Sequence, residues 1–222
     1  MEYTFNFYAV FRDVGPLLQG LIISLQLTAA ATAIGLTLGF VMALMVLSRW
    51  AAVRVPTMLF IEFFRCTPAI VQVVWFFYCI PSILDVYVDA TTMGVLALGF
   101  NLSAFNAEAY RASIQSVPRE QLDAGVALGL NGWQRIKYIV LPTAFRASIP
   151  VLVTNAVGTF QQSALVAIVA IQDLMYAGKT MATETYRPIE TFTTVALIYF
   201  LVSFPITQAV EWYTRRRDRA TS

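Results

Sequence analysis

Apolar residues run in five long stretches along this chain, near 18–47, 57–80, 92–112, 148–170 and 191–213. Each approaches or exceeds the roughly 20 residues that a helix needs to cross a bilayer core. The pattern predicts an all-α integral membrane fold with five transmembrane helices. The first stretch is longer than needed and is expected to tilt. Between the third and fourth stretches, over 116–142, the character changes to SVPREQLDAGVALGLNGWQRIKYIVLP. Leu122, Val126 and Leu130 recur every four residues there and share a helical face. Asn131-Gly132 breaks the chain, and Trp133, Ile136 and Val140 mark a second short helix with Arg135 and Lys137 on its polar side. Ser116 suits a cap for the first helix and Pro118 its first turn. Pro142 is expected to end the second helix. Gly125 and Gly129 are expected inside the first helix, where each costs about 1 kcal/mol relative to alanine. The expected reason is close approach of another protein surface to bare backbone. An ordinary amphipathic helix lying on the headgroups is the alternative.

Composition supports the membrane reading. The 222 residues are 58% hydrophobic and 13% charged, against about 25% charged in soluble domains. The net charge of +2 gives no reason to expect a nucleic-acid partner. The absence of histidine excludes a catalytic His triad and His metal ligation. Cys66 and Cys79 would lie about 20 Å apart on one helix, too far for a disulfide, and are expected as buried thiols. The N-terminal MEYTFNFYAVFRDVG lacks the basic region and small-residue cleavage site of a signal peptide, so the first span is expected to direct insertion.

Charge distribution sets an expected orientation. Eleven basic residues fall on one side: Arg49 and Arg54, then Arg111, Arg119, Arg135, Lys137 and Arg146, then Arg215, Arg216, Arg217 and Arg219. The other side holds Arg12, Lys179 and Arg187 with Glu2, Asp13, Asp85, Asp89, Asp173, Glu184 and Glu190. The N-terminus is therefore expected outside and the C-terminus in the cytoplasm. Trp50 and Trp212 fall at the inner boundary, and segment 116–142 faces the cytoplasm.

Polar groups within spans mark a cavity or a helix–helix contact. Asn155, Thr159 and Gln162 form one stripe of span four. Asn101 lies in span three, with Asn106 on a neighbouring face, and Gln72 lies beyond a kink at Pro68 in span two. Asn155, Thr159, Gln162, Asn101 and Gln72 are the candidate substrate path, with interhelical glue as the competing role. Glu108 with Arg111 and Glu62 with Arg65 are spaced as self-neutralising pairs and are candidate gate ion pairs. Amides and hydroxyls without an unpaired charge suit a small zwitterion.

Asp123, Ala124, Gly125, Gly129, Ile139, Leu141 and Pro142 stand in the order D-A-G-x3-G-x9-I-x-L-P. This resembles the EAA loop of ABC importer permeases, with aspartate in place of the usual glutamate. GLIISLQLTAAATAIGLTLGF, IEFFRCTPAIVQVVWFFY and YRPIETFTTVALIYFLVSF extend the resemblance to the polar amino-acid uptake permeases. Cys66 stands where glycine is usual. Gln161-Gln162-Ser163-Ala164 replaces a usual Lys-x-Thr-Ser, which puts any substrate contact carried over there in doubt. The resemblance implies a type I ABC importer permease of the bacterial inner membrane that brings in a polar amino acid or similar zwitterion. It implies that the 116–142 loop is a coupling helix docked on a cytoplasmic ABC ATPase dimer, which binds ATP and Mg, leaving this chain without cofactor or enzymatic activity. An extracytoplasmic solute-binding protein touching loops 81–91 and 171–190, and a second permease subunit, are the other implied partners beside the lipid bilayer.

Ala177-Gly178-Lys179-Thr180 imitates a P-loop, but Asp173 occupies the position of its first glycine. Two rival classes are an ion-gradient-driven secondary transporter and a membrane-embedded enzyme. The first is disfavoured by acids placed near helix ends and the lack of an apparent repeat. The second is disfavoured by the absence of a nucleophile–base pair.

Overall fold

The computed structural model describes residues 5–221, apart from the side chains of 9 and 217–221. Glu2 and the side chains of Arg217 and Arg219, counted above for orientation, lie outside this part. Regular structure among the described residues is entirely helical. The helices are α1 (Tyr8–Phe11), α2 (Gly15–Val46), α3 (Ala51–Cys66), α4 (Ala69–Leu84), α5 (Ala90–Gln115), α6 (Arg119–Ala127), α7 (Gly132–Arg135), α8 (Leu141–Gln162), α9 (Leu174–Thr185) and α10 (Pro188–Thr221). A π-helical turn, Ile136–Val140, joins α7 to α8, and a 3-10 stretch, Ser163–Val169, follows α8.

Three continuous helical segments are long and apolar enough to cross a membrane: Gly15–Val46, Gly132–Val169 and Pro188–Arg216. The stretch expected as one second span is two helices that meet at 110° around Thr67-Pro68. Proline at the start of α4 removes a donor and drives the preceding residue out of helical geometry, and Thr67 is accordingly extended. Helix α5, the expected third span, falls outside that apolar group because α2, α3, α4 and α8 surround it. A helix wrapped by protein can carry Asn101, Ser103, Asn106 and Ser113 on buried positions.

Helix α2 buries Gly20, Ser24, Leu27, Ala31, Gly35, Gly39 and Ala43 on one face. Lipid supplies no hydrophobic drive for helices to associate, so close backbone approach through small residues takes that role. A Cβ on Gly35 would sit 2.5 Å from Leu102 Cγ, and one on Gly39 would sit 2.8 Å from Asn106 Cβ and 3.0 Å from the Ser103 carbonyl. Around this α2–α5 contact, Leu27, Ile61, Phe64, Val73, Phe76, Leu98 and Val166 form the main apolar core.

Pro142 does not end the helix of the 116–142 segment. It lies in the first turn of α8, where its missing N–H breaks no helical bond. The π turn before it lets Leu141 N donate to Ile136 O, so helix continues into the bundle. Ser116 caps the end of α5, and Pro118 rather than Ser116 precedes α6. Cys66, expected buried, is exposed at the α3–α4 corner, and Cys79 is partly buried.

Gly39→Leu should lower the detergent-solubilised melting temperature by about 5 °C or more, since overpacking costs about 1–3 kcal/mol. Ala30→Leu, on the exposed face of α2, should leave it unchanged. Differential scanning fluorimetry of both variants checks this.

Candidate functional site

The hairpin built from α6, α7 and the π turn stands at one end of the bundle. Asn131 accepts from Gln134 N and Gln134 Oε1 accepts from Asn131 N, a reciprocal cap that starts α7. Gly129 lies beyond α6 rather than inside it. It has φ +73°, and Leu130 N reaches back to Gly125 O at 3.0 Å, the left-handed helix stop that glycine favours. Nothing lies within 4 Å of the Cβ it lacks. Gly125 is buried for a different reason: an added Cβ would meet Ile139 Cδ1 at 2.6 Å and Arg135 Cγ at 3.2 Å. The close approach expected from a foreign surface is here made by the hairpin's own second arm.

Of the remaining motif residues, Asp123, Ala124, Leu141 and Pro142 are exposed and Ile139 is half-buried. Val126, Leu128, Trp133, Ile136 and Tyr138 are also exposed, Leu128 at 79% and Trp133 at 71%. A hairpin with its glycines spent inward thus displays apolar and aromatic side chains outward.

Inside the bundle the candidate path residues divide. Gln72 donates to Phe64 O at 2.8 Å and Thr67 O at 3.1 Å, carbonyls left over where α3 ends. Asn101 donates to Gln72 Oε1 at 2.9 Å and to Phe64 O at 3.3 Å. Backbone broken within a membrane must find partners in the protein, and these two buried amides supply them at the 110° corner. Asn155 Nδ2 donates to Asn106 Oδ1 at 3.0 Å, tying α8 to α5. Thr159 is buried and its hydroxyl bonds back to Asn155 O. Gln162 Oε1 is buried with no partner, as is Asn106 Nδ2.

The two ion pairs form as spaced. Arg65 Nη1 lies 3.3 Å from Glu62 Oε1, and Arg111 Nε donates to Glu108 Oε2 at 2.8 Å. Arg65 is near enough to Glu108, and Glu62 to Arg111, for each pair to feel the other's charge. The two self-neutralised pairs thus sit on the neighbouring helices α3 and α5.

A clasp at the end opposite the hairpin has no counterpart in the motif reading. Asp173 is fully buried, caps α9 through Tyr176 N at 2.9 Å and accepts from the Tyr199 hydroxyl at 3.3 Å. Leu174 N donates to Ser24 Oγ at 3.2 Å. Burial pushes the Asp173 carboxyl above the usual carboxylate range, against the pull of its hydrogen bonds. Ser24 hides within a small-residue stripe and Asp173 within a loop, so spacing gave no signal for the clasp. Tyr199, Ser203 and Thr207, spaced i, i+4, i+8 on α10, were open to the same stripe argument as span four.

The P-loop imitation at 177–180 lies within α9, where a Cβ on Gly178 would meet Val195 Cγ2 at 2.5 Å. Its amides belong to a packed helix rather than a phosphate cradle. No group of three or more Cys, Asp or Glu among the described residues is placed to hold a metal ion.

Comparison with known proteins gives one consistent answer. Residues 35–219 match the family described as binding-protein-dependent transport system inner membrane component. The chain is 30% identical over 221 residues to the glutamate/aspartate import permease protein GltK of Escherichia coli O6:H1, covering 96% of this chain and 99% of that protein. It is 28% identical over 217 residues to the glutamine transport system permease protein GlnP of Escherichia coli K12, covering 97% of each. Among solved structures, a chain of an amino acid ABC transporter with histidines superposes with a TM-score of 0.90 at 30% identity, covering 96% of this chain and 100% of that one. The inward-facing MetNI methionine ABC transporter shares the fold, with a TM-score of 0.72 at 18% identity over 90% of this chain and 95% of that one.

Two measurements follow from the buried polar geometry. Gln72→Ala should cost about 1–3 kcal/mol by removing the amide that bonds Phe64 O, Thr67 O and Asn101, read as a lower melting temperature in detergent. For Asp173→Asn, the difference in melting temperature, wild type minus variant, should fall as pH rises above the usual carboxylate range. The folded carboxyl holds its proton longer than the unfolded one, so wild type loses stability until the folded group also ionises, while the amide does not titrate. A flat difference across that range would refute a buried, proton-holding Asp173.

Proposed function

The chain belongs to the family of binding-protein-dependent transport system inner membrane components, and from that premise we propose how it works as an amino-acid importer. It is the permease subunit of an ATP-driven system that carries a polar amino acid or a similar zwitterion into the cytoplasm. The relatives GltK and GlnP, named for glutamate/aspartate and glutamine, support that substrate class.

The hairpin carries this reading. It projects from the bundle with Leu128, Trp133 and Tyr138 uncovered, and its second arm, α7, is one helical piece with α8 through the π turn. A partner that grips it moves α8 directly. The partner is a cytoplasmic ATPase that binds and hydrolyses ATP; this chain supplies no catalytic group. Asp123 and Ala124 face the ATPase, Gly125 and Ile139 hold the two arms together, and Gly129 sets the turn. Leu141 and Pro142 pass the motion into the membrane. The basic side of the chain is cytoplasmic, which puts the N-terminus outside and the C-terminus inside. The loops around 81–91 and 171–190 then face the external solute-binding protein. A second permease subunit, of this sequence or a related one, completes the path.

Within the bundle, Gln72 and Asn101 keep the α3–α4 corner, and Asn155 with Asn106 fixes α8 on α5. The ion pairs Glu62–Arg65 on α3 and Glu108–Arg111 on α5 serve as the gate, each neutralised within its own helix so that the two helices can shift without stranding a charge. Gln162, with an unpartnered acceptor, is the path residue of the stripe.

The test is purification from native membrane with the accompanying subunits identified, followed by ATP-driven uptake in vesicles. A co-purifying ATPase and external receptor are expected. Gly129→Val forces a β-branched residue into positive φ, a strain of about 1–3 kcal/mol. It should cut ATP-driven uptake about tenfold or more at unchanged membrane insertion. Uptake by the chain alone under an ion gradient would overturn the assignment.

A further inference from the structure

A recess of about 530 Å³ lies where α2, α5 and the start of α8 meet. Leu36, Thr37 and Phe40 form its α2 wall, and Leu141, Pro142 and Phe145 form its α8 wall. Tyr110 and Ala144 also line it and are only 6% and 5% exposed, so the surface is hollowed rather than flat. Thr37, Leu141, Pro142 and Phe145 are exposed along its rim. The Thr37 hydroxyl is returned to Ala33 O at 2.8 Å, and no charged or amide side chain lines the recess. A polar solute would lose its hydration there without replacement. A hydrocarbon chain would lose nothing.

The chemistry changes where both walls leave the membrane. Helix α2 stops at Val46, and Arg49 and Trp50 follow. Helix α8 starts at Leu141, whose N–H reaches back to Ile136 O, so Lys137 lies about one turn beyond the recess. Arg49 and Lys137 are exposed, and neither is in an ion pair among the described residues. Lys137 Nζ lies 5.3 Å from the centre of the Tyr138 ring, and Tyr138 and Trp50 are themselves exposed. Aromatic and basic side chains together mark the headgroup level of a bilayer. No Asp or Glu occurs within residues 14–61 or 124–172, so both walls end in positive charge without an acid of their own. Glu120 and Asp123 belong to α6, the other arm of the hairpin.

We propose that this recess is a site for an anionic phospholipid of the inner leaflet, one acyl chain filling the recess and the phosphate met by Arg49 and Lys137. An apolar slot that ends in two cations matches that one amphiphile in both its parts. A second copy of this chain matches it less well, because it would bring its own basic inner ends against these. The proposal uses the orientation given above and is independent of which solute is carried. The site also bears on coupling. Leu141 and Pro142 line the recess, and they stand where the hairpin's second arm continues into α8. A chain seated there packs between α2 and that joint, so its presence sets how the joint can move. The lipid thereby tunes the ATPase activity of the complex.

The test uses the permease–ATPase complex in nanodiscs of equal parts phosphatidylcholine and phosphatidylglycerol. The photoreactive residue p-benzoylphenylalanine replaces Phe145 on the rim or, as a control, Ile22, an exposed position nearer the other end of α2. After irradiation, mass spectrometry of the adducts should show phosphatidylglycerol favoured at position 145 by about fivefold or more, the effect of one basic side chain at a membrane surface. Position 22 should show no preference. Arg49→Gln combined with Lys137→Gln should bring the ratio at 145 towards one. Thr37→Trp, which fills the recess from its exposed rim, should remove most lipid adducts at 145. The basal ATPase rate should rise with phosphatidylglycerol content in wild type, and Thr37→Trp should lose that dependence. Equal adducts of both lipids at 145, or adducts chiefly with the second permease subunit or the ATPase, overturn the site. A preference that survives the Arg49 and Lys137 changes overturns the headgroup assignment. A preference with no change in ATPase rate overturns the role in coupling. Crosslinking needs no transport, and the nanodisc carries both lipids on each face, so the site stands or falls apart from the importer and orientation readings.

Discussion

The close approach of α2 to α5 is the contact on which the rest of this bundle depends. Gly35 and Gly39 leave no room for a Cβ against Leu102, Ser103 and Asn106. That seats α5 at the centre of the molecule, away from lipid, and a helix so placed can afford polar side chains. It uses them to hold its neighbours. Asn101 reaches the α3–α4 corner, Asn106 holds Asn155 of α8, and Glu108 and Arg111 lie against the charge pair of α3. In hydrocarbon each of these groups would carry a desolvation cost of several kcal/mol. Inside the bundle they become its specific fastenings. Packing of small residues comes first in this hierarchy, and the hydrogen bonds depend on it.

The hairpin follows a similar economy with different means. Two glycines four residues apart look equivalent in sequence, yet one is needed for space and the other for backbone angle. Gly125 admits Ile139 and Arg135, and Gly129 turns the chain at φ +73°. Proline at 142 would be expected to break the helix, and the π turn before it absorbs the missing donor. The outcome is a continuous helical run that begins in the hairpin and ends inside the bundle.

Helix identity, the amphipathic hairpin and both ion pairs were legible in the sequence because each rests on local spacing. The corner at Thr67-Pro68 was legible as a kink, but its angle was not, since the angle depends on Gln72 and Asn101 meeting across 29 residues of chain. The central place of α5 was hidden for a related reason. Its hydropathy reports the protein around it rather than the lipid beyond, and only the stripe from Gly20 to Ala43 on α2 indicated what it would pack against. Asp173 and Ser24 gave no sign at all, being an ordinary loop acid and an ordinary small residue until folding buries them together. Gly129 was misplaced because a helix end at glycine and a helix interior with glycine look alike until the chain turns.

A transporter must also hold something that it lets go. Side chains that are fully satisfied by the protein make architecture, and Gln72, Asn101, Asn155 and Asp173 are of that kind. A group that a passing solute is to engage has to be left incomplete in the resting fold, at a cost that the surrounding packing must offset. In the middle of this bundle the incomplete groups are Asn106 Nδ2, Gln162 Oε1 and Ser203 Oγ, one donor, one acceptor and one hydroxyl able to act as either. Two of them flank the place where α8 changes its helical type and α10 passes beside it. The hairpin's second arm runs into the same α8 at its other end. Helix α8 thus carries the hairpin's second arm at one end and the unsatisfied Gln162 amide at the other.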